Sequence, residues 1–551
     1  MRALPRSSGV CDRSSCRNGL AEGALSTEPG HNPVSIESCA ATPQPIRPAF
    51  SNHPERCVTL LSSFARHTRN YSLASSLVMV AGLVSFPILT RLLPLADYGV
   101  MSLVSSSLGF AVALGKLGMQ HAALRFYSEV RAGKHPGVDL RQFAATVIYG
   151  MGMLGLFACA LWLLAAWLLP ASLWDDPRMP WLMTMTAVLV PLRVIDSAVG
   201  NLLRAQEQSG LLSIMGVLKR YVSLAAILGA VILIAPTVWS FFGATVVLEV
   251  VAVVATLWWV FRTDWPRWRE RSPVLFRAMV VFAVPMTGFE LSSLVMQMGD
   301  RYVLQALLGA EAVGLYSAAY NLSDYIKLAL FTAMSSAALP MCVRLAESEG
   351  TAAVEAFLVT FTRTFLLIGL GVVAAMAAVG ADLMAVLASA KYQPAAVVIP
   401  WVMLGMMFEA YIVIAGVGLY LRKRSIVTMG MVAGGAVLNV VLNLLLVPRL
   451  GIQGSGVANL CSYAAVVVIA LLATRRTLRP PPFALGFLKF GLMAVAAYLV
   501  ANQVHAEWAV VSLVLRGSVA VLVYAALALL LDQRARQLLG QSWAKLKARR
   551  K

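Results

Sequence analysis

Apolar residues in this chain come in long blocks, each about the length that crosses a bilayer, separated by short polar punctuation. A spanning helix takes roughly 20 mostly apolar residues, and about fourteen such blocks lie between Tyr71 and Asp532. They run approximately over residues 71–93, 98–122, 142–169, 180–203, 211–235, 237–261, 276–308, 312–343, 356–379, 396–421, 425–447, 454–474, 484–503 and 508–531. The pattern predicts an all-α polytopic membrane protein with about 14 transmembrane helices.

Composition sharpens this. Of 551 residues, 59% are hydrophobic and only 13% are charged, which excludes an ordinary soluble protein built around one core. The formal net charge of +19 does not point to nucleic acid, because the basic residues alternate by connection instead of forming one patch. One set of connections holds Arg125, Arg131, Lys134 and Arg141; then Arg204, Lys219 and Arg220; then Arg262 to Arg277; then Arg422 to Arg424; then Arg475, Arg476 and Arg479. The intervening turns carry Arg91, Arg178, Lys391 or Arg449. The positive-inside rule therefore places the first set, and with an even helix count both termini, in the cytoplasm.

A turn is repeated half a chain apart. Residues 92–102, with Asp97 and Gly99, recur in weakened form as residues 307–317, with Glu311 and Gly314. Leu203-Arg204 similarly echoes Leu421-Arg422. Six helices return a chain to the side where it started, so the halves are expected to be parallel six-helix bundles related by an axis along the membrane normal. The expected organisation is a disordered polar tail at 1–69, or a start assigned upstream of the true one. A first bundle at 70–262 follows, then a basic cytoplasmic linker at 263–275 and a second bundle at 276–475. Two extra transmembrane helices at 476–532 and a basic tail at 533–551 complete the chain.

Enzymatic motifs are weak. From Gly109 to Lys116 the spacing of a phosphate-binding loop is off by one, and Leu117 follows where Ser or Thr would hold magnesium. The six histidines are scattered, and Cys11 and Cys16 lack the partners of a zinc site. No cofactor or metal is expected, and energy would come from an ion gradient or substrate turnover.

The run "FPILTRLLPLADYGVMSLV" and the following "GKLGMQHAALRFYSE" resemble the start of bacterial O-antigen and exopolysaccharide flippases. These belong to the multidrug/oligosaccharidyl-lipid/polysaccharide exporter superfamily. "VPMTGFELSSLVMQMGDRYVLQALLGAEAVGLYSAAYNL" resembles their seventh and eighth helices. "LNVVLNLLLVPRLGIQGSGVANL", with Pro448, Gly451, Gly454 and Gly456, resembles the turn between the eleventh and twelfth. The resemblance implies a V-shaped alternating-access arrangement of the two bundles in the bacterial inner membrane. It also implies a substrate class of undecaprenyl-pyrophosphate-linked oligosaccharides, a proton or sodium gradient, and polysaccharide polymerase and chain-length proteins as partners. A lipid II-type flippase or multidrug antiporter of the same superfamily is the alternative. A membrane glycosyltransferase or polymerase is disfavoured by short outer loops.

Carrying a pyrophosphate through hydrocarbon requires cations, and ionisable residues within spans mark such paths. The substrate-binding candidates are Arg193, Arg301, Lys327 and Lys116, with Tyr316 and Tyr320 as aromatic sugar contacts. The ion-coupling candidates are Glu290, Asp324, Glu409, Asp300 and Glu249. Each has a structural alternative. Asp196 stands three residues from Arg193, within pairing reach. Glu290 has no partner at i+3 or i+4, and otherwise would bond to a neighbouring helix. Tyr316, Tyr320, Asp324 and Lys327 share one face, as a cavity lining or as a pair joining the seventh and eighth helices. Lys116 and Arg363 otherwise snorkel. Asn439 and Asn443 are expected to bridge helices, with Gly430 and Gly434 as a small-residue contact. Pro285 suggests a kink in an overlong seventh helix.

Overall fold

The structure, a computed structural model, describes residues 74–168, 176–422, 424–533 and 536. Among them, fourteen helices are long and apolar enough to cross a membrane, and no strand occurs. These are α1 (Ala74–Leu92), α2 (Leu95–Arg131), α3 (Leu140–Leu168), α4 (Met179–Ala205), α5 (Gly210–Leu233), α6 (Val238–Phe261) and α7 (Pro273–Leu308). Then come α8 (Ala310–Ser348), α9 (Thr351–Ala388), α10 (Ala390–Leu421), α11 (Ile426–Leu450), α12 (Ile452–Thr474), α13 (Phe483–Ala501) and α14 (Ala509–Leu531). The chain is a multi-pass membrane protein. The tail at 1–69 lies outside the described residues.

Several helices outrun the apolar blocks that announced them. α2 continues to Arg131, α8 to Ser348 and α9 to Ala388, because a helix keeps its backbone hydrogen-bonded past the point where the hydropathy window ends. α7 runs for 36 residues through Pro285 without interruption, about 54 Å at the helical rise. The break falls elsewhere. In α2, Leu117 (φ 45°) and Gly118 (φ 66°) are left-handed, a conformation that strains a leucine by about 1–3 kcal/mol. Gly118 has no room for a side chain, since a Cβ there would fall on the Ala283 carbonyl oxygen of α7.

The two copies of the repeated turn pack on each other. A Cβ on Gly99 would strike the Ala310 carbonyl oxygen, and one on Gly314 would strike that of Leu95. At the same membrane face the Lys391 ammonium donates to the Leu93 carbonyl at 2.6 Å, and the Arg91 guanidinium to that of Val386 at 2.6 Å. Asn321 donates to the Tyr98 hydroxyl at 3.0 Å, so this face is closed between α1–α2 and α8–α10. Towards the other face contact continues through α7, where the Arg125 guanidinium lies 4.5 Å over the Phe282 ring.

Asn443 joins α11 to α12, and Asn439 supports it from within α11. The Asn443 amide donates to the Asn439 carbonyl at 2.9 Å, and the Ser455 hydroxyl donates to the Asn443 side-chain oxygen at 2.7 Å. The small-residue contact is at Gly435, against Val466 and Met296, and not at Gly430 or Gly434, which have open space beside them. α13 and α14 lie on α9. There the buried Asp532 accepts from Arg363 and from Lys489, so Arg363 is paired.

Candidate functional site

Charges from five helices meet beside the break in α2. A cavity of about 480 Å³ is lined by Lys116 of α2, Arg193 and Asp196 of α4, Lys219 of α5, Glu249 of α6 and Glu290 of α7. Four of the residues singled out from sequence therefore share one chamber, namely Lys116, Arg193, Glu249 and Glu290. Irregular backbone inside a membrane is tolerated where it lines such a cavity. The break places Lys116 just before, and Gln120 just after, the turn at Leu117–Gly118.

The pairing within it differs from the sequence expectation. Asp196 forms no direct ion pair with Arg193. Its carboxylate accepts from the Lys219 ammonium at 3.0 Å, and Lys219 also donates to Glu249 at 2.7 Å. Lys219 was assigned to a polar connection, yet it stands nine residues into α5, ~14 Å along the helix. Two carboxylates on neighbouring helices hold it there, as a charge within a span requires. Among the described residues no carboxylate lies within 4 Å of Arg193 or of Lys116, so both cations face the cavity without an ion pair. Glu290 has a partner after all. Gln120 donates to its carboxylate at 2.6 Å across the interface between α2 and α7.

The candidates on α7, α8 and α10 are elsewhere and differently engaged. Asp300 and Arg301 are buried. The Asp300 carboxylate accepts from the Tyr316 hydroxyl, while the Arg301 guanidinium reaches Ser102 and Ser317 at 3.2 and 3.3 Å and lies 4.8 Å over the Tyr320 ring. Tyr316 and Tyr320 are thus core residues packed where α2 meets α7 and α8, and they line no described cavity. Burial removed them from the surface that a shared helical face suggested. Lys327 bridges Asp324 at 2.8 Å and Glu409 at 3.2 Å. It therefore ties α8 to α10 and not to α7. Glu409 is spent on this bridge.

A second cavity, of about 860 Å³, lies between α1, α5 and α8, with Arg204, Arg220, Ser213 and Tyr325 in its wall. Sequence reasoning missed Gln120, Lys219 and the α2 break. The adjacent Leu117-Gly118 was the available signal for the last. At the Asp97 face, Arg178 joins Asp97 at 2.9 Å and Asp176 at 2.8 Å. Burial pushes the Asp176 carboxyl up, but hydrogen bonds from the Arg178 side chain and backbone outweigh it and leave the group below the ordinary carboxylate range.

The family of polysaccharide biosynthesis proteins matches residues 64–346, about half of the chain. The chain belongs to the polysaccharide biosynthesis protein family. No curated protein matches it. Among solved structures it is similar to the lipid II flippase MurJ in an inward closed conformation, with a TM-score of 0.67 and 13% identity, covering 85% of this chain and 99% of that one. It is also similar to an inward-facing multidrug resistance MATE family transporter of the MOP superfamily (TM-score 0.56, 16% identity, 74% of this chain and 93% of that one). A Vibrio cholerae MATE transporter gives a TM-score of 0.53 at 14% identity, over 76% and 97%. The fold of this polysaccharide biosynthesis protein is that of MOP-superfamily transporters.

Proposed function

We propose that this protein is a flippase for undecaprenyl-pyrophosphate-linked oligosaccharides, moving them from the cytoplasmic to the outer leaflet of a bacterial inner membrane. The observation that carries the reading is the pair of unpaired cations, Arg193 and Lys116, in one polar cavity among membrane helices. A cation within a membrane span is costly unless something supplies the counter-charge, and a pyrophosphate supplies it to both at once. The family's connection with polysaccharide biosynthesis and the likeness in fold to a lipid II flippase support the glycolipid class.

The mechanism follows from which contacts a ligand changes. A substrate that binds one conformation better shifts the protein towards it. With both termini in the cytoplasm, the Gly99–Gly314 face is the outer one, and this structure is closed outside. Pyrophosphate enters on Arg193 and Lys116. Glu290, hydrogen-bonded to Gln120 across the two halves, is the ion-coupling carboxylate, since its protonation alters an interface contact directly. Glu249 and Asp196 keep Lys219 neutralised. Lys327, Asp324 and Glu409 brace the second half, and Asp300 with Arg301 braces the interface. A proton or sodium gradient drives the cycle, and a polymerase with chain-length proteins receives the product.

A small-cation antiporter is favoured by one specific feature, the three carboxylates Asp196, Glu249 and Glu290 in the same cavity. The test separates the two. In cells, Arg193→Gln combined with Lys116→Gln should abolish surface glycan and trap lipid-linked sugar on the cytoplasmic leaflet, at normal protein levels. Intact glycan with a changed resistance to cationic drugs would refute the flippase reading.

A further inference from the structure

α5 and α6 hold a groove of about 370 Å³ that adjoins the cation cavity. It is lined by Ile214, Met215, Leu218, Val222, Val251 and Ala252. Ile214, Leu218 and Val251 are largely exposed, so the groove opens to the surrounding membrane. Two charged residues form part of its wall as well, Lys219 and Glu249, and both also line the cation cavity. The Lys219–Glu249 ion pair, 2.7 Å long, is therefore a partition. On one side are Arg193 and Lys116, and on the other is an apolar channel one helix pair wide.

We propose that this groove seats the polyprenyl chain of the lipid-linked substrate next to its pyrophosphate, and that the Lys219–Glu249 pair is the junction between the two. The inference rests on the flippase reading and locates the part of the substrate which that reading leaves unplaced. An amphiphile with its charged end inside a protein must keep its hydrocarbon in an apolar environment, since about 0.8 kcal/mol is lost for each methylene moved into water. The two compartments must then touch. The cavity between α1, α5 and α8 shares no lining residue with the cation cavity, whereas the α5–α6 groove shares two.

The junction is also built to open. Lys219 contacts two carboxylates, and losing Glu249 leaves it on Asp196 at 3.0 Å. Parting the pair therefore leaves Lys219 compensated, which lowers the usual penalty for breaking an ion pair in a dry environment. Small residues line part of the groove, namely Ser223, Ala252 and Ala255.

The test is photocapture in nanodiscs containing undecaprenyl pyrophosphate, with a benzophenone amino acid placed in turn at Leu218 and Val251 of the groove. Val78 and Leu328 serve for the other cavity, and the lipid-facing Leu492 of α13 as background. Polyprenyl adducts at Leu218 and Val251 should exceed those at Leu492 by about tenfold, the factor one charge-assisted contact to a phosphate gives. Arg193→Gln should remove the excess and Arg193→Lys should restore most of it. Arg193-dependent capture at Val78 and Leu328 alone would overturn the groove and leave the cation cavity standing. Phospholipid adducts only, at every position and regardless of Arg193, would overturn both.

Discussion

Gly99 and Gly314 lie against each other, each too close to the other's turn to carry a side chain. The ideal Cβ of Gly99 would stand 3.0 Å from the Gly314 nitrogen, and that of Gly314 3.3 Å from the Gly99 nitrogen. The contact is reciprocal, as expected where two copies of one turn meet about a common axis. Gly99→Leu and Gly314→Leu should each destabilise the detergent-solubilised protein by about 1–3 kcal/mol, the range for forced overpacking. Gly216→Leu, with open space beside it, is the control. The two effects share an interface and should not add. Equal melting temperatures for Gly99→Leu and Gly216→Leu would show that the turns do not touch.

The buried Asp300–Arg301 pair should behave as structure and not as a substrate contact. Asp300→Ala leaves Arg301 uncompensated in the core and should cost about 3–5 kcal/mol. Binding of undecaprenyl pyrophosphate by the folded fraction should be unchanged. Arg301→Lys keeps the charge but not the Nε–H shared between Ser102 and Ser317, so it should rescue only in part. A variant of normal stability with lost binding would move Arg301 into the site.

At Glu290 the proposed coupling and the plain hydrogen bond can be separated. Glu290→Gln preserves an acceptor for Gln120 and removes the charge. It should keep stability within about 0.5 kcal/mol yet abolish the dependence of transport on an ion gradient. Gln120→Ala keeps the charge but removes the interface contact on which protonation acts, and should weaken that dependence while leaving Glu290 able to titrate. If Glu290→Gln transported with unchanged gradient dependence, another carboxylate would be responsible.

The fourteen spans were legible because a bilayer imposes one requirement, apolar length, that a sequence displays directly. The repeated turn was legible too, through Gly99 and Gly314, although not the fact that its copies face each other. Partners were not legible. Asp196 is three residues from Arg193 in sequence but bonds to Lys219, because the choice depends on how α4, α5 and α6 are rotated about their axes. Tyr316 and Tyr320 illustrate the same gap. A polar aromatic stripe on one helical face suits a cavity and a buried interface equally, and only packing distinguishes them. The break at Leu117–Gly118, which lets Lys116 and Gln120 flank the cavity, had only a glycine to announce it.

The Arg178 cluster gives a pH prediction. Because the Asp176 carboxyl is held below its ordinary value, it favours the folded state fully above the unfolded pKa of about 3.9. That contribution is lost as pH falls through the lower folded value. Arg178 is partly exposed, so the size is that of a surface pair, up to about 1 kcal/mol. Arg178→Ala should therefore melt slightly lower than the parent at pH 7, with the difference vanishing in acid. A constant difference across that range would remove the carboxylates from the explanation.

In the proposed function Arg193 and Lys116 receive the pyrophosphate of a lipid-linked glycan on its way across the membrane. This is tested most directly in proteoliposomes holding a fluorescent undecaprenyl-pyrophosphate oligosaccharide, by following how fast the label moves from one leaflet to the other. The parent protein should accelerate exchange over protein-free vesicles. Arg193→Gln with Lys116→Gln should reduce that acceleration by tenfold or more, as loss of about 1.4 kcal/mol or more of phosphate binding requires. A double variant that folds normally and exchanges the glycolipid as fast as the parent would show that these two cations do not receive the pyrophosphate.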